Sequence, residues 1–235
     1  VRDSGDNGIE QEGVTGAVFR KVHVSWTNED PGQNGPYGIY PTFCQEATVE
    51  YSQVTDASDA GIYVGKCGWG EGSQGGGVAR YNVVARNVAG LEIENCNTVT
   101  AHDNYVVDNT GGFLTFQQPG AAGSGNTPAN SNILVERNQV YCNNRENFAT
   151  TGIVQEIPVG TGLLILGGNL NDVRNNDVQS NDSGGVVIVS NAVTCDAAGF
   201  DCPPYEDFPE YNPYPQDIYA HDNFFANNGT SADTS

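Results

Sequence analysis

Apolar and polar residues alternate in short runs along the chain, and a glycine opens each run. Alternation with a period of two is typical of a β-strand that has one buried face. The spacings between the glycines are 30, 23, 29, 22, 50 and 23 residues, so a base period of 22 to 23 residues with insertions predicts the coils of a solenoid. These glycines are Gly8, Gly38, Gly61, Gly90, Gly112, Gly162 and Gly185.

Pairs of asparagines five residues apart recur in phase with the glycines. Each pair brackets a short β-rich stretch such as Tyr105-Val106-Val107. Asparagine tolerates left-handed backbone geometry, and its amide can bond to an identical amide one strand away. The pairs therefore predict asparagine ladders at tight turns between at least two short strands per coil. The pairs are Asn82/Asn87, Asn104/Asn109, Asn138/Asn143, Asn176/Asn181 and Asn223/Asn228.

These two repeats resemble those of the right-handed parallel β-helix repeat proteins, a superfamily that includes pectate lyases, polygalacturonases and alginate epimerases. Residues 36–41, 57–65, 88–95 and 109–112 are similar to a bacterial family of parallel β-helix domain proteins. Leucine-rich repeats would need a leucine consensus that the chain lacks, and β-propellers have longer periods. We therefore expect an all-β fold, a right-handed parallel β-helix of about 22–23 residues per coil with loop insertions.

The repeat runs over nearly the whole chain, so residues 1–235 are expected to form a single domain. Three stretches break the period and are expected to be insertions, at 117–131, 144–160 and 192–216. The chain contains no methionine, which indicates a fragment or processed form lacking an N-terminal part.

The residue after each motif glycine is apolar, and these residues are expected to stack inward as one core column. The column is Ile9, Ile39, Ile62, Leu91, Phe113, Leu163 and Val186. The outward positions of the C-terminal half are also apolar, and such a patch would not stay bare on a monomer. An insertion is the expected cover, with 192–216 favoured for its aromatic residues. A partner subunit docking on Leu114, Phe116, Leu164 and Leu166 is the competing cover.

The outward positions of the N-terminal half carry acids beside tyrosines. Aromatic rings bind the apolar faces of sugars, while carboxylates accept hydroxyl hydrogen bonds or act in acid–base chemistry. Taken singly, each acid is more simply a solvent-facing strand residue, but together they predict a substrate-binding groove. The predicted groove residues are Tyr37, Tyr40, Tyr63, Glu10, Glu12, Glu92 and Glu94.

The resemblance implies a polysaccharide lyase, an epimerase or a glycoside hydrolase, but the chain departs from the known motifs. Tyr40 and Thr42 stand where the alginate epimerase motif has its catalytic Asp and His. Asp56, Asp59 and Arg86 are the nearest approximation to a lyase's calcium ligands and base, and the two acids are more simply turn formers. We therefore assign no catalytic residue and no metal ligand, and calcium is the one cofactor left open.

The formal charge of −20, from nine basic and twenty-nine acidic residues, argues against nucleic acid and anionic membranes as partners. No apolar run is long enough to span a bilayer. Six cysteines without a CxxC motif favour disulfides over zinc, and hence a secreted, periplasmic or cell-surface location.

Three cysteines occupy the same position of successive coils. Cys44, Cys67 and Cys96 each lie six residues after a motif glycine, and neighbouring coils bring equivalent atoms to about 4.8 Å. We predict a Cys44–Cys67 disulfide, with Cys67–Cys96 as the alternative. A second predicted pair joins Cys195 and Cys202 within the 192–216 insertion. Cys96 and Cys142 are left unassigned.

Two functional hypotheses follow. The first is an exported protein that binds or modifies a polysaccharide, with an acidic polyuronate favoured, and it predicts an open cleft where rings and acids converge. The second is a non-catalytic surface or assembly protein whose β-helix is a rigid scaffold for another protein subunit. It predicts a flat or covered N-terminal face and an exposed apolar one.

Overall fold

The computed structural model describes residues 1–70, 72–118, 130–193 and 212–233. Its strands form three parallel sheets of seven strands each, and every coil contributes one short strand to each sheet. Strands that are neighbours in a sheet are one coil apart in sequence. The predicted all-β parallel solenoid is confirmed.

The first sheet contains the glycine-led strands. These are β1 (Ile9–Glu12), β4 (Tyr37–Thr42), β7 (Ala60–Gly65), β10 (Ala89–Glu94), β13 (Gly111–Phe116), β16 (Thr161–Leu166) and β19 (Gly184–Val189). The second sheet contains β2 (Val18–Arg20), β5 (Ala47–Glu50), β8 (Gly77–Arg80), β11 (Asn97–His102), β14 (Ser131–Glu136), β17 (Asp172–Arg174) and β20 (Tyr219–His221).

The third sheet contains the strands that the asparagine pairs bracket. They are β3 (His23–Ser25), β6 (Gln53–Thr55), β9 (Val83–Ala85), β12 (Tyr105–Val107), β15 (Gln139–Tyr141), β18 (Asp177–Gln179) and β21 (Phe224–Ala226). Two short 3₁₀ turns, Pro31–Gln33 and Ile153–Glu156, lie in the connections.

The predicted core column is confirmed rung by rung. Ile39 pairs with Ile62, Ile62 with Leu91, and Leu91 with Phe113, and these side chains are almost completely buried. Each buried aliphatic or aromatic side chain contributes roughly 1.5–3 kcal/mol relative to exposure. The stack of inward residues therefore forms one continuous core along the solenoid axis.

Two buried asparagine ladders run along the turns on either side of the third sheet. In each, the Nδ2 of one asparagine donates to the Oδ1 of its counterpart in the next coil at 2.9–3.0 Å. One detail of the prediction is wrong, because the residue before each ladder asparagine takes the left-handed conformation. Tyr81 and Asp103, with φ of 56° and 54°, are examples. This turn points the asparagine inward, where its oxygen also accepts a backbone N–H.

The disulfide between Cys44 and Cys67 is confirmed, with a Cα–Cα distance of 4.5 Å. Cys96 is a buried free thiol one coil further on, and its sulfur accepts a hydrogen bond from the Cys67 backbone N–H. Cys142 is free and exposed. Cys195 and Cys202 lie outside the described residues, so their pairing stays a prediction.

Residues 144–160, which we call the strap, cover the outward apolar positions of the first sheet. Val154 and Ile157 of the strap join Leu114, Phe116 and Leu166 in a second buried cluster outside the solenoid core. The expected cover is thus an insertion of the same chain, although the favoured 192–216 insertion lies largely outside the described residues. Leu114, Phe116 and Leu166 are buried and Leu164 partly so, which leaves this patch closed to a partner.

Within the described part of the chain, no helix has the length and apolar character needed to cross a bilayer.

The buried asparagine ladders predict a large loss of stability when one of their asparagines is replaced. Asn109 is completely buried, accepts from Asn87 and donates to Asn143, so Asn109→Ala leaves both neighbours unsatisfied. We expect the free energy of unfolding to fall by about 3 kcal/mol in urea denaturation. Replacing the exposed Gln139 with Ala is the control, with an expected change below about 0.5 kcal/mol. Equal effects of the two substitutions would contradict a structural role for the ladder.

The disulfide predicts a second stability difference. Its cysteines are 23 residues apart, so removing the cross-link in Cys44→Ala/Cys67→Ala should cost about 3 kcal/mol by releasing the unfolded chain. The measurement is the denaturation midpoint of the double variant beside wild type, with and without a reducing agent. The prediction fails if wild type is insensitive to reduction and as stable as the variant.

Candidate functional site

Five of the seven predicted groove residues come together on the outer face of the first sheet. We call Tyr37, Tyr40, Tyr63, Asp59, Glu92 and Glu94 the carboxyl–tyrosine cluster. The three rings contact one another, with centroid separations of 4.6–4.9 Å. The strand register sets Glu92 beside Tyr63. Asp59, which sequence reasoning took for a turn former, adds a third carboxyl group.

A glycine makes room for one of the rings. The Tyr63 ring lies across Gly65 on the same strand, where an added Cβ would be only 2.2 Å from the ring. Gly65 in turn pairs with Glu94 on the neighbouring strand. The small residue therefore lets the ring lie along the sheet, close to the acid.

Burial leaves each acid of the cluster with one oxygen that has no hydrogen-bond partner. Glu92 and Glu94 are 1% and 2% exposed, and one oxygen of each, like one oxygen of Asp59, has no hydrogen-bond partner. Among the described residues, no Lys or Arg forms an ion pair with any of the three. Uncompensated burial of this kind favours the protonated form.

The pKa values follow this burial. Loss of solvent raises the pKa of Glu94 to about 8 and that of Asp59 to about 7, and it holds the pKa of Glu92 well above its usual range. The charge of Asp59 adds to the effect on both glutamates. Burial and the three acids also raise the pKa of Tyr37. These shifts favour the neutral form of Glu92 and Glu94 at neutral pH.

The cluster is not the open cleft that the sequence predicted, because the strap covers it. Partly buried side chains of Phe148 and Ile153 belong to the same apolar cluster as the tyrosines. Glu10 and Glu12 remain exposed on β1, outside the buried group, and Glu10 accepts a hydrogen bond from Asn7. An insertion was expected to cover the apolar positions of the first sheet. The strap extends over the acidic positions as well, because both kinds of position lie on one continuous sheet face.

The residues considered for a lyase site do not converge. Arg86 makes two hydrogen bonds of 2.7 and 2.9 Å to Asp56, so this pair is an ordinary surface ion pair. Asp59 belongs instead to the cluster on the first sheet. In the ranges that the structure covers, no group of three or more His, Cys, Asp or Glu side chains is arranged to hold a metal ion.

The outer face of the second sheet carries a feature that sequence reasoning missed. One outward position of this sheet carries Arg, Glu or His in every coil, and we call its residues the charge ladder. They are Arg20, Glu50, Arg80, His102, Glu136, Arg174 and His221. The equal spacing of Arg20, Glu50 and Arg80, 30 residues each, was the signal that could have revealed it.

At the N-terminal end of the ladder, two arginines share one buried carboxylate. The Nε atoms of Arg20 and Arg80 lie 2.5 and 2.7 Å from the two oxygens of Glu50, which is 1% exposed. The hydrogen bond from Arg80 holds the pKa of Glu50 below its usual range, against the effect of burial and with help from Arg20. Both arginines bind through Nε, and their side chains remain 59% and 39% exposed.

Two tyrosines stack beside this arginine pair. The rings of Tyr51 and Tyr81 lie 5.0 Å apart at an angle of 17°, and they are 54% and 43% exposed. Both residues have left-handed backbones, with φ of 52° and 56°. That geometry costs a bulky residue roughly 1–2 kcal/mol, which asparagine or glycine would largely avoid.

A groove of about 310 Å³ runs over the same sheet, next to the ladder. Its polar lining residues are Glu46, Thr48, Gln74, Thr98 and Thr100. Rings, arginines and these polar residues thus share one open surface, which we call the open face, spanning strands β2 to β11.

Comparison with known proteins gives a family but no individual relative. No curated protein and no solved structure matches the chain. A family model described as "Right handed beta helix region" matches residues 1–127, more than half of the chain. With three parallel seven-stranded sheets in one solenoid, the chain belongs to the right-handed β-helix family.

Proposed function

We propose that this is an exported protein that binds an acidic polysaccharide on the open face of its second sheet. The observation that carries the proposal is the exposed Tyr51–Tyr81 stack beside the paired arginines Arg20 and Arg80. Flat aromatic surfaces bind the apolar faces of sugar rings, and guanidinium groups bind carboxylates with two parallel hydrogen bonds. A uronic acid chain presents both kinds of group.

The distribution of charge favours an anionic ligand. Five of the nine basic residues, Arg20, Lys21, Arg80, Arg137 and Arg174, lie on the charge ladder or the turn beside it. Around the tyrosine stack, three cations (Arg20, Lys21 and Arg80) face two carboxylates (Glu50 and Asp103), a local surplus of one positive charge on a chain of net charge −20. Such a patch steers an anion to this surface.

The backbone strain at the stack also supports a binding role. Strained residues persist where the surroundings enforce them, and they concentrate at functional sites. At the equivalent turn of later coils the chain uses Asp103, Arg137, Asn175 and Asp222, and all of these except Arg137 tolerate the geometry better. Tyrosine at two successive exposed turns lowers the stability of the fold, but it provides an aromatic surface on which a sugar ring can stack.

The open face is suited to binding rather than to acid–base catalysis. Its carboxylates are held by arginines, which keep the pKa of Glu50 and, against the effect of burial, those of Asp103 and Glu136 below their usual range. Permanently ionised, salt-bridged carboxylates are poor proton donors. We therefore propose polyuronate recognition without assigning a lyase, epimerase or hydrolase step to this surface.

A scaffold role is the second candidate, and one observation favours it. The last described coil exposes large apolar side chains, which could contact another protein. These are Tyr219 and Phe224, 63% and 59% exposed, which pair in register with Asp172 and Asp177 on the outer surface. This surface differs from the strap-covered patch that the sequence suggested.

The tyrosine stack can be tested without loss of stability. In Tyr51→Asn/Tyr81→Asn, asparagine suits the left-handed turns, so stability should be unchanged or higher while ring stacking is lost. We expect affinity for oligogalacturonate or oligoalginate, measured by titration calorimetry, to fall about 50-fold, or roughly 2–3 kcal/mol. The exposed Tyr105 of the third sheet, replaced by Asn, is the matched control. Undiminished binding by the double variant, or no binding by wild type, would refute the proposal.

The arginine pair gives a prediction specific to ligand charge. Arg80→Gln leaves Glu50 paired with Arg20 but removes one contact to the uronate, so affinity for an acidic oligosaccharide should fall about tenfold. Its dependence on salt concentration should weaken as well. Arg86→Gln, which alters an ion pair away from the open face, is the control. An equal loss in both variants would show a general effect of net charge instead of a site.

A further inference from the structure

The strap lies on the carboxyl–tyrosine cluster without bonding to it. Between residues 148 and 157, the hydrogen bonds that the structure shows are internal to the strap, such as Gln155 N–H to Gly152 and Asn147 to Val154. The bonds to the solenoid lie at its two ends, from Arg145 N–H to Asn109 and from Gly160 N–H to Thr110. The middle of the strap is therefore a compact unit, tied at both ends and held down by apolar contacts.

The surface beneath the strap is unusual for an apolar contact, because it contains two carboxyl groups. Glu92 and Glu94 are almost fully buried with one unpartnered oxygen each. They pair in register with Leu114 and Phe116, which belong to the same apolar cluster as Val154 and Ile157 of the strap. Two neutral carboxyl groups are tolerable there, whereas two carboxylates would be desolvated and would repel each other.

The ionisable groups that surround Glu92 and Glu94 all disfavour the ionised form of these two carboxyl groups. Strands β4 and β7 contribute Tyr37, Tyr40 and Tyr63, and Asp59 adds a negative charge at the edge of the cluster. The strap's own acids are the exposed Glu146 and Glu156, and its one basic residue, Arg145, lies over Phe148 and near Asp108. Strand β1 adds the exposed Glu10 and Glu12. The described surroundings thus offer ionised Glu92 and Glu94 no cation.

From this geometry we infer that the strap is a proton-operated lid: it stays closed while Glu92 and Glu94 are protonated, and it opens when they ionise. The open state exposes rings and acids together, which is the saccharide-binding groove that the sequence predicted. The inference does not depend on the open face of the second sheet, because lid opening can be measured without any saccharide.

The direction of the pH effect follows from proton linkage. Burial raises the pKa of Glu94 from 4.5 to about 8 in the closed state, so the closed state binds its proton more tightly than an open, solvated state does. The lid is therefore most firmly closed below pH 4.5. Its opening equilibrium should increase up to tenfold per pH unit between about 4.5 and 8 for this carboxyl, and Glu92 should add to the slope.

Hydrogen exchange measured by mass spectrometry tests the lid in the protein without ligand. After correction for intrinsic exchange rates, protection of peptides covering residues 148–157 should fall at least 100-fold between pH 5.5 and 8.5. Protection of β14 and β15 (residues 131–141) should stay constant, which separates lid opening from unfolding.

Glu92→Gln/Glu94→Gln should keep most of the strap's protection across the whole range, because the amides imitate the neutral acids and cannot ionise, which leaves Asp59 as the one titrating carboxyl group of the cluster. The single variant Glu94→Gln should show a reduced slope, and it serves in place of the double variant if that fails to fold. Glu156→Gln, which removes one of the two exposed acids of the strap, should behave as wild type does. A flat profile in wild type overturns the inference, and so does a wild-type profile in the glutamine variants.

Discussion

The structure depends on one constraint, the in-register stacking of parallel rungs. Every coil repeats three short strands, and hydrogen bonds between coils fix equivalent residues above one another. The two asparagine ladders hold this register at the turns, where the backbone ladder is interrupted. Because equivalent positions become neighbours, a residue type repeated once per coil becomes a continuous column. The core, the disulfide and the charge ladder all arise in this way.

The same constraint produces two outer faces with opposite chemistry. On the first sheet, a long connection returns over the strands and removes Glu92 and Glu94 from water without offering a charged partner. On the second sheet, Glu50 is just as buried, but arginines from both neighbouring rungs compensate it. Burial therefore raises the pKa of one set of acids, while ion pairing lowers that of the other. The first arrangement responds to protons, and the second stays charged and available to a ligand.

The net charge of the chain says little about its binding surface. A protein of charge −20 gathers more than half of its few basic residues along one edge of one sheet. Repetition explains how this occurs, since one basic position per coil is enough to build a stripe. An acidic protein can in this way present a local cationic and aromatic surface, with the remaining charge keeping it soluble.

The sequence by itself determined the features that repeat. The glycine period placed Ile39, Ile62 and Leu91 in one column, the asparagine spacing predicted both ladders, and equal offsets paired Cys44 with Cys67. Tertiary structure alone decided what lies over each face. The strap has no period, so its path over Glu92 and Glu94 depended on packing, and that packing turned expected surface acids into buried ones. The stacking of Tyr51 on Tyr81 likewise required the turn geometry, because at a left-handed turn the backbone, and not strand alternation, sets where a side chain points.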